Sequence, residues 1–378
     1  MKTINRMAIK YPYVYDRKRR AVARSYTREK MTHAFVNGMV VPLLFFATLA
    51  MTGVGASLYV ALPSAALYAV AFYTMLSLAQ LPVSFYSSFI YEHKHKLSTQ
   101  DVGGWLKDYA KSKVLSYVFF VPTVAALYYF MAFENWWLIA GAAYATVSLV
   151  LDYVSPILIL PIFYKLKPYT NSAHRRGILR MCRKLGVEGI SNVLVANESS
   201  RSVKANALFT GFGRMKRIVL FDTLVKNFTR KEIDTVIAHE VGHYVNKDVH
   251  KDIIIGIAMV FPILYVISAA LGVAAPALNI NAYSPASLPL IALFYLLIDF
   301  AVMPVMAAYS RRREALADMF SLEHIRAPEA QISTEKKLCD MALIDDDPPK
   351  WMKLMFFDHP PAKERIEMAK KWKRKYNL

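Results

Sequence analysis

From Ile237 to His243 the chain reads Ile-Ala-His-Glu-Val-Gly-His. Two histidines four residues apart on a helix project from one face, so both imidazoles can grip one zinc ion. The glutamate between them is offset around the helix. There the Glu240 carboxylate can take the proton of a water attacking a peptide carbonyl beside the metal. His239 and His243 are therefore candidate ligands, and Glu240 is the candidate base. A catalytic zinc needs a third protein ligand and one open position. In Ser310-Arg-Arg-Arg-Glu-Ala-Leu-Ala-Asp318, Glu314 and Asp318 share one helical face. Glu314 can complete the ligand set, and Asp318 can accept the N–H of a ligating imidazole and fix its tautomer. Read more plainly, the same two acids balance Arg311, Arg312 and Arg313. One Zn2+ per chain is the expected cofactor.

These residues need a rigid frame. Thr229-Arg-Lys-Glu232 fits a capping box, which predicts a helix over 229–247 carrying both histidines. Upstream, a helix is expected over 172–185 and strands over 191–196, 202–209 and 217–221. Gly211, Phe212 and Gly213 form a hairpin signal between the last two.

The rest of the chain is far more apolar than a soluble protein. It has 378 residues, 55% of them hydrophobic. No Asp, Glu, Lys or Arg occurs from Met31 to Tyr91; only Glu134 and Asp152 interrupt Val114–Tyr164, and only Asp299 interrupts Ile253–Ser310. Each stretch is about twice the ~20 residues a spanning helix requires, and each breaks near its middle. Three helical hairpins are thus expected, with spans near 36–58, 64–90, 114–133, 136–164, 253–274 and 287–309. The fold class is a mainly α, polytopic membrane protein of about six transmembrane helices, with a small β-hairpin or sheet beside the zinc site. All 47 basic residues lie outside the hairpin tips. Because Lys and Arg are retained on the cytoplasmic side, both termini and the zinc site should face the cytoplasm. The expected organisation is a basic arm (1–35), four spans (36–164), a catalytic segment (165–252), two more spans (253–310) and a tail (311–378).

The net charge of +19 belongs to segments flanking membrane spans, where it meets lipid headgroups, so no nucleic-acid partner is expected. Arg17, Lys18, Arg19 and Arg20 read as a juxtamembrane anchor rather than a cleavable signal. Cys182 and Cys339 fall in cytoplasmic segments and predict no disulfide. Asp299, inside the last span, should face a cavity or a partner rather than lipid.

H-E-x-G-H together with S-R-x-x-E-x-x-A-D resembles the membrane zincin family of CAAX prenyl protease 1 and the bacterial quality-control peptidase HtpX. Further similarities are Asn206-Ala207, Gly211-Phe212-Gly213, Arg217-Ile-Val-Leu-Phe-Asp-Thr-Leu224, Tyr91-Glu92-His93, and His359-Pro360-Pro361 with Glu364-Arg365. The resemblance implies a gluzincin-like site capping a barrel-like helical chamber filled with water. It also implies that His359 and Arg365 lie at the site as catalytic residues, where an imidazole or a cation could stabilise an oxyanion; read more plainly, His359 is a tail histidine in a Pro-rich turn and Arg365 an ion-pair partner of a neighbouring helix. A zincin orients its peptide as an added strand on a sheet edge. Asn206 and Ala207 are accordingly candidate substrate-binding residues; taken alone, Asn206 could equally be a strand-edge amide. The chain departs from eukaryotic prenyl proteases in three respects. It lacks their extra N-terminal span, it has Asp248 where they tend to carry a histidine, and it has Asp358 before His359.

Three functions follow as expectations. One is a zinc endopeptidase acting on C-terminal CAAX-type peptides, lipidated or amphipathic. The second keeps the chemistry but clips misfolded membrane proteins. The third is a transporter or receptor with a degenerate motif. The expected partners are a peptide or protein substrate, prenylated or not, and the lipid bilayer.

Overall fold

The computed structural model describes residues 12–211 and 216–377. Helix α1 (Arg17–Phe35) starts where Asp16 accepts hydrogen bonds from the Lys18 and Arg19 amides. It continues through a π turn into α2 (Val41–Met51), so the basic arm and the first apolar stretch form one helix of 35 residues. This helix begins well before the expected first span, 36–58, and ends within it. It stops at Met51 because Gly53 takes a left-handed φ of 74°. Short α3 (Val54–Ala61) folds back before α4 (Ala65–Phe85), which runs on through a second π turn into α5 (Tyr91–Lys94). Helix α6 (Val102–Phe130) is capped by Asp101. Helix α7 (Trp136–Leu158) ends earlier than the expected 164, and Pro161 begins the separate turn α8 (Leu160–Phe163).

Among the described residues, five helices are long and apolar enough to cross a membrane: Arg17–Met51, Ala65–Lys94, Val102–Phe130, Asp248–Ala277 and Pro285–Ile325. Trp136–Asp152, within α7, is a shorter apolar stretch. These helices bury Phe46, Tyr68, Phe72, Trp136 and Leu271 in one apolar core.

The polar segment contributes β1 (Leu166–Pro168), α9 (Ser172–Lys184), β2 (Ile190–Ala196), β3 (Ala207–Thr210) and β4 (Lys216–Phe221). The sheet order is β1-β2-β4-β3, with β2 and β4 parallel and the outer pairs antiparallel. β3 is thus an edge strand. It is shorter than the expected 202–209 because the Val203 amide donates to Leu97 and Ser202 bridges Ser98. Those residues pair with the loop after α5 instead of the sheet. Gly211 leaves β3 with φ 91°, while Phe212 and Gly213 of the hairpin signal lie outside the described residues.

After α10 (Asp222–Asn227) come α11 (Arg230–Val245), α12 (Asp248–Ala277), α13 (Leu288–Ile325), α14 (Pro328–Ala342), α15 (Lys350–Phe356) and α16 (Ala362–Lys375). Ile237 and Val241 of α11 pack on Ile218 and Leu220 of β4 and on Ile178 of α9, which fixes α11 against the sheet.

Candidate metal centre

Helix α11 begins with the expected capping box, Thr229 and Glu232 bonding each other's amides. Glu232 is also fully buried, and its carboxylate accepts from Lys337 Nζ at 2.7 Å and Ser333 Oγ at 2.6 Å, both on α14. A buried carboxylate is tolerable only with such partners, so this pair fixes α11 to α14. Against α13 the approach is closer still. A Cβ added at Gly242 would meet Phe320 Cβ at 3.2 Å and Ala317 Cα at 3.3 Å. The glycine inside the histidine motif lets the two helices close, and Ser321 Oγ donates to the Thr235 carbonyl across the same seam.

That closeness brings the candidate ligands together. His239 Nε2 lies 3.2 Å from Glu314 Oε2, His243 Nε2 lies 3.3 Å from Glu314 Oε1, and the two Nε2 atoms are 3.1 Å apart. Donors about 2.0–2.1 Å from a tetrahedral zinc sit about 3.3 Å from one another, so the spacing fits that ion. The tautomers agree. A carboxylate only accepts, so His239 Nδ1–H donates to Asp318 Oδ1 at 2.9 Å and His243 Nδ1–H donates to Asp248 Oδ2 at 2.8 Å. Both Nε2 lone pairs then face each other and the Glu314 carboxylate, an arrangement that repels itself unless a cation lies between them. Glu314 Oε2 is buried and finds no hydrogen-bond donor among the described residues.

Other site residues extend outward from this cluster. Glu240 is half-buried, and burial raises its carboxyl above the usual range although the two neighbouring imidazoles oppose the shift. It also accepts a backbone hydrogen bond from Phe209 of β3. The pairing of β3 with β4, together with the bond from the Phe221 amide to the Asn206 carbonyl, turns Ala207 and Phe209 toward the free edge. Asn206 is exposed at the start of that edge, its Oδ1 accepting from the Ala207 amide, and the Ala207 side chain is buried behind it. His359 arrives from the C-terminal segment with Nε2 3.4 Å from Glu314 Oε2 and its ring 54% exposed, at the mouth of the site. Asp358, 2.8 Å from its Nδ1, holds the imidazole above its ordinary pKa.

Arg365 forms ion pairs with neighbouring helices, the plainer of its two readings. Its Nε and Nη2 donate to Asp318 at 2.6 and 2.5 Å, and its Nη1 lies 2.9 Å from Glu335. Two carboxylates claim its planar fork. Burial pushes Glu335 up to about 7 against the pull of Arg365. Asp248 and Glu335 were not recognised as site residues in the sequence. Asp248 reaches His243 because Lys247 takes a left-handed φ of 56°, and Glu335 reaches Arg365 because α14 packs against α16. A cavity of about 510 Å³ opens from His239, Glu240 and His359 past Asn206 to Lys204 and Lys30.

Residues 168–373 match the family model described as peptidase family M48, and residues 9–165 match that of the CAAX prenyl protease N-terminal region, five membrane helices. The chain is similar to the uncharacterized metalloprotease YhfN of Bacillus subtilis, 29% identical over 93% of this chain and 85% of that protein. It is also similar to CAAX prenyl protease 1 of Saccharomyces cerevisiae, 33% identical over 45% of this chain but only 38% of that protein's length. The crystal structure of S. mikatae Ste24p shares the fold, with a TM-score of 0.82 and 22% identity over 97% of this chain and 93% of that one.

Proposed function

The chain belongs to peptidase family M48 and is a multi-pass membrane metalloprotease, and from that premise we propose that it cleaves peptides laid along the free edge of β3. The observation that supports this most is the convergence of two oriented imidazoles and the Glu314 carboxylate within 4.8 Å. His239, His243 and Glu314 would hold the metal, taken here as zinc from the nitrogen and oxygen donors and their spacing. A zinc ion held there would lower the pKa of a water and polarise a carbonyl.

The remaining steps fall to the chain's own groups. Glu240, raised by burial, accepts the proton of the attacking water and returns it to the leaving amine. Its hydrogen bond from Phe209 ties the base to the strand on which the substrate lies. Ala207 and Phe209 offer edge-facing backbone carbonyls to a peptide, with the exposed Asn206 side chain beside them. The His359 ring, whose pKa the hydrogen bond to Asp358 raises, donates to the carbonyl oxygen as negative charge develops on it. Arg365 acts through Asp318, which fixes the His239 ring, and so is a positioning residue.

For substrate, the relatives named CAAX prenyl protease 1 support a C-terminal peptide carrying a lipid or an amphipathic segment. The distribution of Lys and Arg supports an active site and both termini on the cytoplasmic side. Purified wild-type and Glu240→Gln proteins would be given a farnesylated CAAX peptide and an unprenylated amphipathic peptide of matched length, with products read by mass spectrometry. Zinc-dependent cleavage of the farnesylated peptide alone supports prenyl-peptide processing. Cleavage of both assigns the broader quality-control role. Cleavage of neither by zinc-loaded protein contradicts the substrate class.

A further inference from the structure

The cavity that leaves the metal centre ends on cations. Lys30 of α1 and Lys204, just before β3, both line it, and both reach Glu92, at 2.6 Å and 3.1 Å. Tyr26 Oη donates to the same carboxylate at 2.7 Å, and Lys30 Nζ donates also to the Ser87 carbonyl. Glu92 is buried, while the two lysine side chains are 30% and 39% exposed. One carboxylate thus serves two ammonium groups, so this end carries a net charge of +1.

We infer that Lys30 and Lys204 form a subsite for the free C-terminal carboxylate of the peptide substrate. This rests on the reading of the site as a peptidase and adds to it the recognition of a chain terminus. The lysine pair orients the peptide. With its carboxylate at Lys204 and its scissile carbonyl beside Glu240, the peptide runs antiparallel to β3, as an added strand can. Lys204 lies three positions before Ala207, where β3 begins, on the side toward which the C-terminus of such a peptide points. The terminus therefore sits a few residues beyond the scissile bond. A carboxylate placed between the ammonium groups balances the second positive charge that Glu92 leaves over, and the half-buried setting strengthens the pairing relative to water. A peptide without a free terminus, or with a much longer tail, forgoes that contact.

The test measures binding separately from turnover. Zinc-loaded Glu240→Gln protein would be titrated with one peptide bearing either a free C-terminal carboxylate or a C-terminal amide. The account predicts binding at least tenfold tighter for the acid. Lys30→Met and Lys204→Met should each bring the acid-to-amide ratio to within about threefold of unity, and Lys204→Arg should restore most of it. Equal affinity for acid and amide in the unaltered site would overturn the proposal whether or not the lysine variants fold. A full ratio retained in folded Lys30→Met and Lys204→Met would overturn it too. Failure of the peptidase reading would show elsewhere, as wild-type protein that binds the acid tightly yet does not cleave it.

Discussion

Asp248 follows His243 by five residues, yet reaches its ring only because Lys247 turns left-handed between α11 and α12. Removing it leaves the His243 ring free to rotate and to change tautomer. Asp248→Ala should therefore weaken zinc binding about 10–100-fold, read by competition with a chelator; unchanged affinity would mean the pair is only structural. Glu335 is the second acid on Arg365, and burial raises it to about 7. A carboxyl whose folded pKa lies above its unfolded value binds more protons when folded, so it lowers stability as pH rises through that interval. Between pH 5 and 7 the melting temperature of zinc-loaded wild type should fall with rising pH more than that of Glu335→Gln. Parallel curves would dismiss the effect. At this scale His239, Glu240, His243, Glu314 and Asp318 could all be named as candidates in advance, because the helical spacing within each motif is local. Asp248 and Glu335 could not, since one depends on a single backbone turn and the other on which helix packs behind which.

The α11–α13 seam is the element on which the site depends. Gly242→Val would set a branched side chain against Phe320 and the Ala317 backbone, which a flexible neighbour cannot absorb. We expect a loss of about 1–3 kcal/mol in stability and a larger loss in zinc affinity, as Glu314 moves off the histidines. Calorimetry with metal analysis reads both, and a variant of wild-type affinity would mean the seam tolerates separation. The helix over 229–247 was legible from its capping box and its apolar face. Strand 202–209 was legible only in its second half. Its first residues give their backbone bonds to Leu97 and Ser98, and a pairing across a hundred residues leaves no local pattern.

For the whole molecule, long stretches without charge made the membrane class plain, whereas helix ends were not. The charged α1 and apolar α2 form one continuous rod, and composition changes along it without the backbone changing. The charge distribution also carries the proposed orientation. A cysteine at Asn281, in the tip between α12 and α13, should react with an impermeant maleimide in intact cells, while one at Lys371 should react only after permeabilisation; the reverse pattern would invert the topology. The central claim is that His239, His243 and Glu314 hold a zinc ion beside the base Glu240. It is tested most directly by measuring zinc content and peptide turnover together in purified wild type, Glu240→Gln and Glu314→Ala. The account predicts one zinc per chain and turnover in wild type, one zinc with turnover reduced at least about 10²-fold in Glu240→Gln, and neither in Glu314→Ala. Full zinc in Glu314→Ala, or wild-type turnover in Glu240→Gln, would contradict it.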